Sequence, residues 1–170
     1  MSGFWRCVVY AVVLALAAHP LGQALPRRFH PERPPFRPWK WEKSGRIYSR
    51  LGIEKWKKLV PDMSRLLPDM VKKELPGSGA VTAAQADTLV QETCRAEVVH
   101  TASCLLGLAF LRLWPGAGGA AVLAVWVLLA NLPFMVIQRY NRPRLVRLAA
   151  LLRKREQKKG DTSARTDTDL

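Results

Sequence analysis

The chain has 170 residues, of which 49% are hydrophobic, and a net charge of +14 from 27 Lys and Arg against 13 Asp and Glu. Its length is typical of a single domain. The hydrophobic residues are concentrated in three runs, which argues against a soluble core and predicts a small integral membrane protein. The positive charge suits contact with anionic headgroups or phosphorylated ligands. No nucleic-acid-binding motif accompanies it, so we expect no nucleic-acid partner.

The first apolar run covers 4–18 and belongs to an amino-terminal segment, 1–25, that allows two interpretations. Arg6 near its start and the small residues of Gly22-Gln23-Ala24 are compatible with a cleaved signal peptide. Cleavage would leave the basic regions outside, against the positive-inside rule. We therefore favour a retained transmembrane helix.

The segment 26–81 is predicted to lie at the membrane surface. Five prolines from Pro26 to Pro38 favour an extended strap, because proline has a fixed φ and no amide donor. Trp and Tyr then alternate with Lys and Arg, as is typical of the headgroup layer. A small soluble subdomain built on the same aromatic residues is the alternative. A short amphipathic continuation containing Pro61 and Pro68 leads to a linker, Pro76-Gly77-Ser78-Gly79.

Two further apolar runs, Val98 to Trp114 and Gly118 to Ile137, are the predicted centre of the molecule. Each is long enough, at about 1.5 Å per residue, to cross most or all of a hydrocarbon core of about 30 Å. A turn near Pro115-Gly116 would make them an antiparallel hairpin. Thr82 followed by Gln85 predicts a capping box, which would begin one long helix leading into the first run.

Beyond the second run, Leu and basic residues alternate at helical spacing up to Arg155, which predicts a basic amphipathic helix on the inner membrane surface. This helix completes the hairpin unit, 82–155, and the tail 156–170 is predicted to be disordered. The predicted fold class is an all-α integral protein of the cell membrane with amphipathic interfacial helices. By the positive-inside rule the basic loop and the carboxyl-terminal tail are cytoplasmic, while the amino terminus and the hairpin turn are outside.

Polar residues inside the hairpin mark the candidate site. Placing an ionisable side chain near hydrocarbon costs free energy, so such a residue is usually found where it has a function or a polar partner. Glu97 precedes His100 by one helical turn, and counting from the hairpin turn brings Glu97 to the depth of Gln138 and His100 to that of Pro133. A histidine with such a carboxylate is suited to taking a proton from a hydroxyl. The residues alone leave open whether His100 is functional or merely interfacial.

Other chemistries lack their motifs. The absence of a Gly-x-Ser-x-Gly elbow argues against serine catalysis, and the absence of a Gly-rich phosphate loop argues against a nucleotide-dependent reductase or methyltransferase. The Glu-x-x-His pattern has no second copy, so we expect no di-iron site. Cys7, Cys94 and Cys104 have no paired spacing and are expected to be packing residues. We therefore expect neither a metal nor a cofactor.

Several motifs resemble one known family, the glycosyl-diaponeurosporenoate acyltransferases of the staphyloxanthin carotenoid pathway. The resemblance covers most of the chain from Pro26 to Arg155 and is strongest in the block that follows the second run. The motifs are Glu42-Lys43-x-Gly45, Lys55-Trp56-Lys57, Glu92-Thr93-x-Arg95-Ala96-Glu97-x-x-His100, Asn131-x-Pro133 and Gln138-Arg139-Tyr140-Asn141-Arg142-Pro143-Arg144-Leu145.

The resemblance implies an enzyme that moves a fatty acyl group onto a sugar hydroxyl of a carotenoid glycoside, from acyl-CoA or another activated acyl carrier bound as a substrate. Together with the spacing, it implies His100 as the general base, Glu97 as its orienting partner, and Asn131 or Gln138 as the oxyanion donor. The alternative is a non-catalytic protein that binds membrane lipids or acts as a scaffold. The implied substrate-binding residues, whose arginines would hold donor phosphates or simply anchor to headgroups, are Arg95, Arg139, Tyr140, Asn141, Arg142 and Arg144.

Overall fold

The computed structural model describes residues 2–26, 28–57 and 81–168, with side chains described as far as Lys158. Every regular element in these ranges is helical, which confirms the predicted all-α class. Three of the helices are long, and the others are short segments between them. The elements are α1 (Gly3–Ala24), a 3-10 segment (Lys40–Gly45), α2 (Arg46–Arg50), α3 (Ile53–Trp56), α4 (Ala83–Gly107), α5 (Phe110–Leu113), α6 (Ala117–Val125), a π-helical segment (Trp126–Asn131) and α7 (Leu132–Thr168).

Three helical stretches are long and apolar enough to cross a membrane: Gly3–Ala24, Ala83–Leu113 and Ala117–Lys158. In α1, the Phe4 ring packs edge-on against Trp114 beside the hairpin turn, with ring centroids 6.1 Å apart. At its other end α1 brings Gly22 next to Val99. Helix α1 therefore runs antiparallel to α4, and the amino terminus lies at the same end as the hairpin turn. The side of the membrane on which that end lies stays a prediction.

The hairpin turn forms where the sequence predicted it, between the end of α5 at Leu113 and the start of α6 at Ala117. Gly116 has a φ of 89°, a left-handed conformation that favours glycine. A Cβ at Gly119 would lie 2.2 Å from the carbonyl oxygen of Trp114. Only glycine therefore allows the second run to start so close to the first.

The predicted capping box at the start of α4 is also confirmed. The Gln85 amide donates to Thr82 Oγ1 at 3.2 Å, and the Thr82 amide donates to Gln85 Oε1 at 3.0 Å. These reciprocal bonds satisfy two amide donors that the first turn of a helix leaves unpaired. Helix α4 then continues without a break from Ala83 to Gly107, so Glu97 and His100 lie on the same helix.

The basic amphipathic stretch after the second run is not the separate surface helix that the sequence predicted. It continues α7 through Pro143, and the tail predicted to be disordered is helical as far as Thr168. The chain stays helical here because this part of α7 packs against the first half of α4. Ala149 is 1% exposed, and the Ala83 amide donates to Glu156 Oε1 at 3.0 Å. The Pro61 and Pro68 continuation and the linker 76–79 lie outside the described residues.

The proline segment is not the extended strap that the sequence predicted. Residues 31–37 form turns, in which the amides of Phe36 and Arg37 both donate to the Arg33 carbonyl at 3.0 Å. The Phe36 side chain is buried, and its ring centroid lies 5.2 Å from the Arg142 guanidinium on α7. The chain folds back because Phe36 docks on α7.

The aromatic segment that follows divides into a buried part and an exposed part. Tyr48 and Ile53 are buried and form a small core with Tyr140 of α7. Trp39 and Trp41 are 57% and 59% exposed. Trp56 packs against the small core, so the alternative of a subdomain built on these aromatic residues holds for Tyr48 and Trp56 but not for Trp39 and Trp41. The location of Trp39 and Trp41 in the headgroup layer stays a prediction.

Candidate active site

Buried charged side chains meet where α4 and α7 contact the amino-terminal part of the chain. Glu97 on α4 accepts hydrogen bonds from Arg139 Nη1, at 2.6 Å, and from Arg142 Nη2. Arg139 also donates through Nε and Nη2 to the two oxygens of Glu42, at 2.5 and 2.9 Å. The two acids balance the two arginines, which is the condition for holding ions away from water. We call Glu42, Glu97, Arg139 and Arg142 the ion-pair network.

The hydrogen bonds around Arg142 are nearly complete. Its Nε donates to Thr93 Oγ1 at 3.0 Å and its Nη1 to the Phe36 carbonyl at 2.9 Å. Its Nη2 also reaches the Thr93 carbonyl at 3.0 Å. Arg142 is 1% exposed, and these hydrogen bonds offset the free-energy cost of burying its charge. This arginine fixes the register of α7 against α4.

Glu42 is the member of the network that comes from outside the hairpin. Burial alone would raise the pKa of its carboxyl, but hydrogen bonds from Arg139, Tyr48 and the Trp39 amide lower that pKa below its ordinary value. Burial and the hydrogen bond that the phenol donates to Glu42 raise the pKa of Tyr48. Glu42 is therefore ionised and Tyr48 neutral at physiological pH.

A left-handed turn directs Glu42 toward Arg139. Lys43, Ser44 and Gly45 have φ angles of 48°, 55° and 85°. A left-handed non-glycine residue costs of order 1–3 kcal/mol and persists only where its surroundings hold it. A Cβ at Gly45 would lie 3.3 Å from the Tyr140 carbonyl oxygen. The Glu42-Lys43-x-Gly45 motif is thus a docking turn, and it was the only sequence signal for Glu42 in the site.

The second group of the site lies one helical turn further along α4. His100 Nδ1 is 3.0 Å from Asn131 Oδ1, and the imidazole stacks on Phe134 with centroids 4.9 Å apart and an interplanar angle of 11°. Asn131 is 2% exposed and ends the π-helical segment. Its Nδ2 donates to the Trp126 carbonyl at 2.9 Å. Phe134 carried no signal in the sequence that distinguished it from other apolar residues of the run.

These bonds define a tautomer. The Asn131 amide nitrogen faces a carbonyl, so its Oδ1 is the atom that faces the imidazole. Nδ1 of a neutral His100 then carries the hydrogen, and the basic lone pair is on Nε2. The observed register of the hairpin is close to the predicted one: His100 contacts Asn131 and Phe134, on either side of the predicted Pro133, and Glu97 contacts Arg139 and Arg142, just beyond the predicted Gln138.

The structure gives the partner of Nδ1 as Asn131, where the sequence predicted Glu97. Both carboxylate oxygens of Glu97 instead accept hydrogen bonds from Arg139 and Arg142. The helical spacing was correct, but arginines one turn along α7 attract the carboxylate more strongly than a neutral ring does. Asn131, predicted as an oxyanion donor, therefore has its amide engaged on both sides.

Gln138 is the other predicted oxyanion donor. It is 2% exposed and lies on the same helical face as Asn131, which directly precedes α7, and Arg142. This puts it between the imidazole and the ion-pair network. Its role as an oxyanion donor stays a prediction.

The predicted substrate-binding residues do not form one group. Arg139 and Arg142 belong to the ion-pair network. Tyr140 is 1% exposed in the small core, with the Arg144 guanidinium 3.4 Å above its ring centroid. Asn141 is half-buried, and Arg95 pairs with Glu92 at 2.8 Å on the α1 side of α4. Arg95 is therefore separate from the site.

One known protein family matches the part of the chain that contains this site. The model of the family described as glycosyl-4,4'-diaponeurosporenoate acyltransferase (CrtO) matches residues 32–151, which include the ion-pair network, His100 and Asn131. The chain belongs to this family. The resemblance that the motifs indicated is thereby confirmed, and it makes the chain a member of a family of acyltransferases.

Relatives in this family come from Staphylococcus aureus. Proteins of strains bovine RF122 / ET3-1 and MRSA252 are each 27% identical to this chain, and that of strain N315 is 26% identical. Each alignment runs over 154 residues and covers 88% of this chain and 89% of the relative. All three are named glycosyl-4,4'-diaponeurosporenoate acyltransferase. No solved structure matches the chain.

Proposed function

We propose that this protein is a membrane acyltransferase that transfers a fatty acyl group to a sugar hydroxyl of a glycolipid, namely a carotenoid glycoside of the kind its relatives' names describe. The acyl donor is acyl-CoA or another activated carrier, bound as a substrate. The observation that carries the proposal is the His100–Asn131 pair in a family of acyltransferases. No cofactor is needed for this reaction.

His100 is the proposed general base. With Nδ1–H donated to Asn131, Nε2 is the nitrogen that takes the proton of the sugar hydroxyl. The stacked Phe134 ring restrains the imidazole plane, so less motion has to be arrested when the substrates bind. Asn131 and Phe134 act in this proposal as positioning residues.

The reaction itself needs no covalent enzyme intermediate. The hydroxyl oxygen bonds to the acyl carbonyl carbon while Nε2 of His100 takes the hydroxyl proton, and the carbonyl electron pair moves onto oxygen. Gln138 is the proposed donor to that oxyanion. The carbonyl then re-forms as the bond to the leaving group breaks, and the imidazolium returns its proton to the leaving group.

Both the acyl chain of the donor and the carotenoid acceptor are hydrophobic and dissolve in the bilayer. The helical stretches that include His100 and Asn131 expose apolar side chains on other faces, including Leu105 at 64% and Leu129 at 69%. In a membrane such residues face lipid, so an acyl chain and a carotenoid dissolved in that lipid lie next to these helices.

A non-catalytic lipid-binding or scaffold protein is the second candidate, and one observation favours it. The ion-pair network satisfies itself, because Arg139 pairs with both carboxylates and Arg142 pairs with Glu97. Such a network also suits a purely structural role. In that case the His100 imidazole and the Asn131 amide serve only to satisfy each other within the span.

The experiment that separates these candidates measures acylation directly. Membranes containing the full chain receive a glucosylated carotenoid and palmitoyl-CoA, and the acylated product is quantified by mass spectrometry. We expect His100→Gln to lower the rate by about 10²- to 10⁴-fold, the range for loss of a general base. The matched control is His19→Gln on α1, which we expect to retain wild-type activity.

Each remaining outcome has a defined meaning. Equal product from His100→Gln and wild type would remove the base assignment. No product from the wild type, with the protein folded and in the membrane, would favour the scaffold candidate.

A further inference from the structure

A cleft of about 420 Å³ lies on the surface of α7 next to the ion-pair network. Its walls come from the turns of the proline segment, from the left-handed turn at Ser44, and from α7 between Arg142 and Arg147. The proline segment reaches α7 because Arg139 and Arg142 donate to its carbonyls. The cleft is therefore a built feature of the docked segment.

Positive charge dominates this cleft. Its lining has three arginines, Arg37, Arg142 and Arg147, and one acid, Glu32. Glu97 balances the charge of Arg142. Among the described residues, Arg37 and Arg147 form no salt bridge, and both are exposed. Two guanidinium groups are thus available to a ligand, and their planar donors match phosphate oxygens.

Apart from Ser44, the rest of the lining is apolar. Proline rings and Val146 form the walls between the two arginines. An apolar wall beside a cationic rim suits an organic phosphate better than a bare inorganic ion. The sequence had predicted Arg139, Arg142 and Arg144 as phosphate ligands, but the first two are held by Glu42 and Glu97 and the third stacks on Tyr140.

The distance from the cleft to the imidazole restricts the kind of donor. Arg142 and Arg147 follow Asn131 by 11 and 16 residues on one continuous helix. At about 1.5 Å per residue, the cleft lies roughly 16–24 Å from the level of His100. In a phospholipid the phosphate and the acyl carbonyl are only a few bonds apart. In an acyl thioester of coenzyme A they lie at opposite ends of a long arm.

We infer that this cleft binds the phosphates of an acyl-CoA-type donor, with Arg37 and Arg147 as ligands and the thioester extending along α7 to His100. The inference rests on the proposed function, because it identifies the donor of that same reaction. It adds two binding residues and a donor class defined by the separation of phosphate and carbonyl.

The test measures binding and not catalysis. The full chain in nanodiscs of phosphatidylcholine is titrated with coenzyme A, which carries the phosphates but no acyl group. We expect the double variant Arg37→Gln/Arg147→Gln to weaken binding at least about tenfold, since each lost guanidinium removes charge-assisted hydrogen bonds. The matched control is Arg46→Gln/Arg50→Gln on α2, also two exposed arginines but outside the cleft. We expect the control to stay within about twofold of wild type.

Two other results would overturn the inference. Equal coenzyme A affinity in the double variant and the control would remove the cleft as a phosphate site. A second series in nanodiscs containing phosphatidylglycerol tests the lipid source. If the cleft variant changes only its interaction with that lipid, the phosphate comes from a headgroup and the donor assignment is wrong.

The binding test is independent of the proposed reaction. Weakened coenzyme A binding in the cleft variant, together with no acylation of the carotenoid glycoside by wild type, would retain the cleft and reject the acceptor. Thermal unfolding of both double variants checks that each is folded.

Discussion

Two levels of the α4–α7 contact, one helical turn apart, use polar residues in opposite ways. At the level of Glu97, ionised groups from three parts of the chain pair with one another and are buried. At the level of His100, an imidazole and an uncharged amide share a hydrogen bond. The first level is rigid because any charge left alone there is costly.

This difference suggests that one level stabilises the fold and the other serves the reaction. The ion-pair network fixes the register of α7 against α4 and docks the proline segment through Glu42. In the proposed reaction, the His100–Asn131 pair, held in that register, transfers the proton. Mutations at the two levels should therefore separate stability from activity.

The largest expected effect on stability comes from Glu97→Gln. Neutralising this carboxylate leaves two buried arginines with one acid, and breaking a buried ion pair costs about 3–5 kcal/mol. We expect a large loss of unfolding free energy in detergent micelles. The control Glu54→Gln removes an exposed pair with Lys57 and should cost less than about 1 kcal/mol. Equal stability of the two variants would contradict the structural role of the network.

A change at the second level should affect activity instead. Asn131→Leu removes the acceptor for Nδ1–H and frees the imidazole to rotate. We expect kcat for acyl transfer to fall about tenfold to hundredfold with little change in KM, because a misplaced base mainly affects the transition state. A KM increase at unchanged kcat would instead make Asn131 a substrate-binding residue. Initial rates over a range of acceptor concentrations decide between them.

The elements that the sequence predicted correctly depend on local rules. The Thr82–Gln85 capping box needs only four consecutive residues, and the turn at Pro115-Gly116 needs only its own conformation. The register of the hairpin then follows from counting at a fixed rise per residue. The levels of Glu97 and His100 against α7 were therefore predictable before any contact was known.

The partners of charged groups were not predictable in this way. Arg139 pairs with Glu42, which is 97 residues away in the sequence, and only folding of the proline segment brings them together. Likewise, an amphipathic pattern after Ile137 fits a membrane surface and an α4 partner equally well. The sequence identified the apolar stripe of α7 but not what covers it.

Acid pH offers a way to weaken the first level without mutation. The pKa of Glu42 is lower in the folded protein than its ordinary value of 4.5, so folding favours the carboxylate. Its contribution to stability is complete above that value and is lost as the pH falls through the folded pKa. We expect the Tm to drop as the pH falls below 4.5, the ordinary pKa of the carboxyl. Glu42→Gln should show a smaller acid-dependent drop, whereas Glu54→Gln should follow the wild type.

The smallest expected effect tests whether burial, and not pairing as such, makes the first level strong. Arg153 on α7 also pairs with an acid of α4, Asp87, but side-chain exposure is 52% and 43% for this pair. Exposed ion pairs typically contribute about 0.2–1 kcal/mol and weaken in salt. A double-mutant cycle with Asp87→Asn and Arg153→Gln should give a coupling in that range that disappears near 1 M salt. The same cycle on Glu97 and Arg142 should give a larger coupling that salt barely changes. Equal couplings would mean that solvent reaches both pairs alike, and the α4–α7 contact at Glu97 would then be open to water.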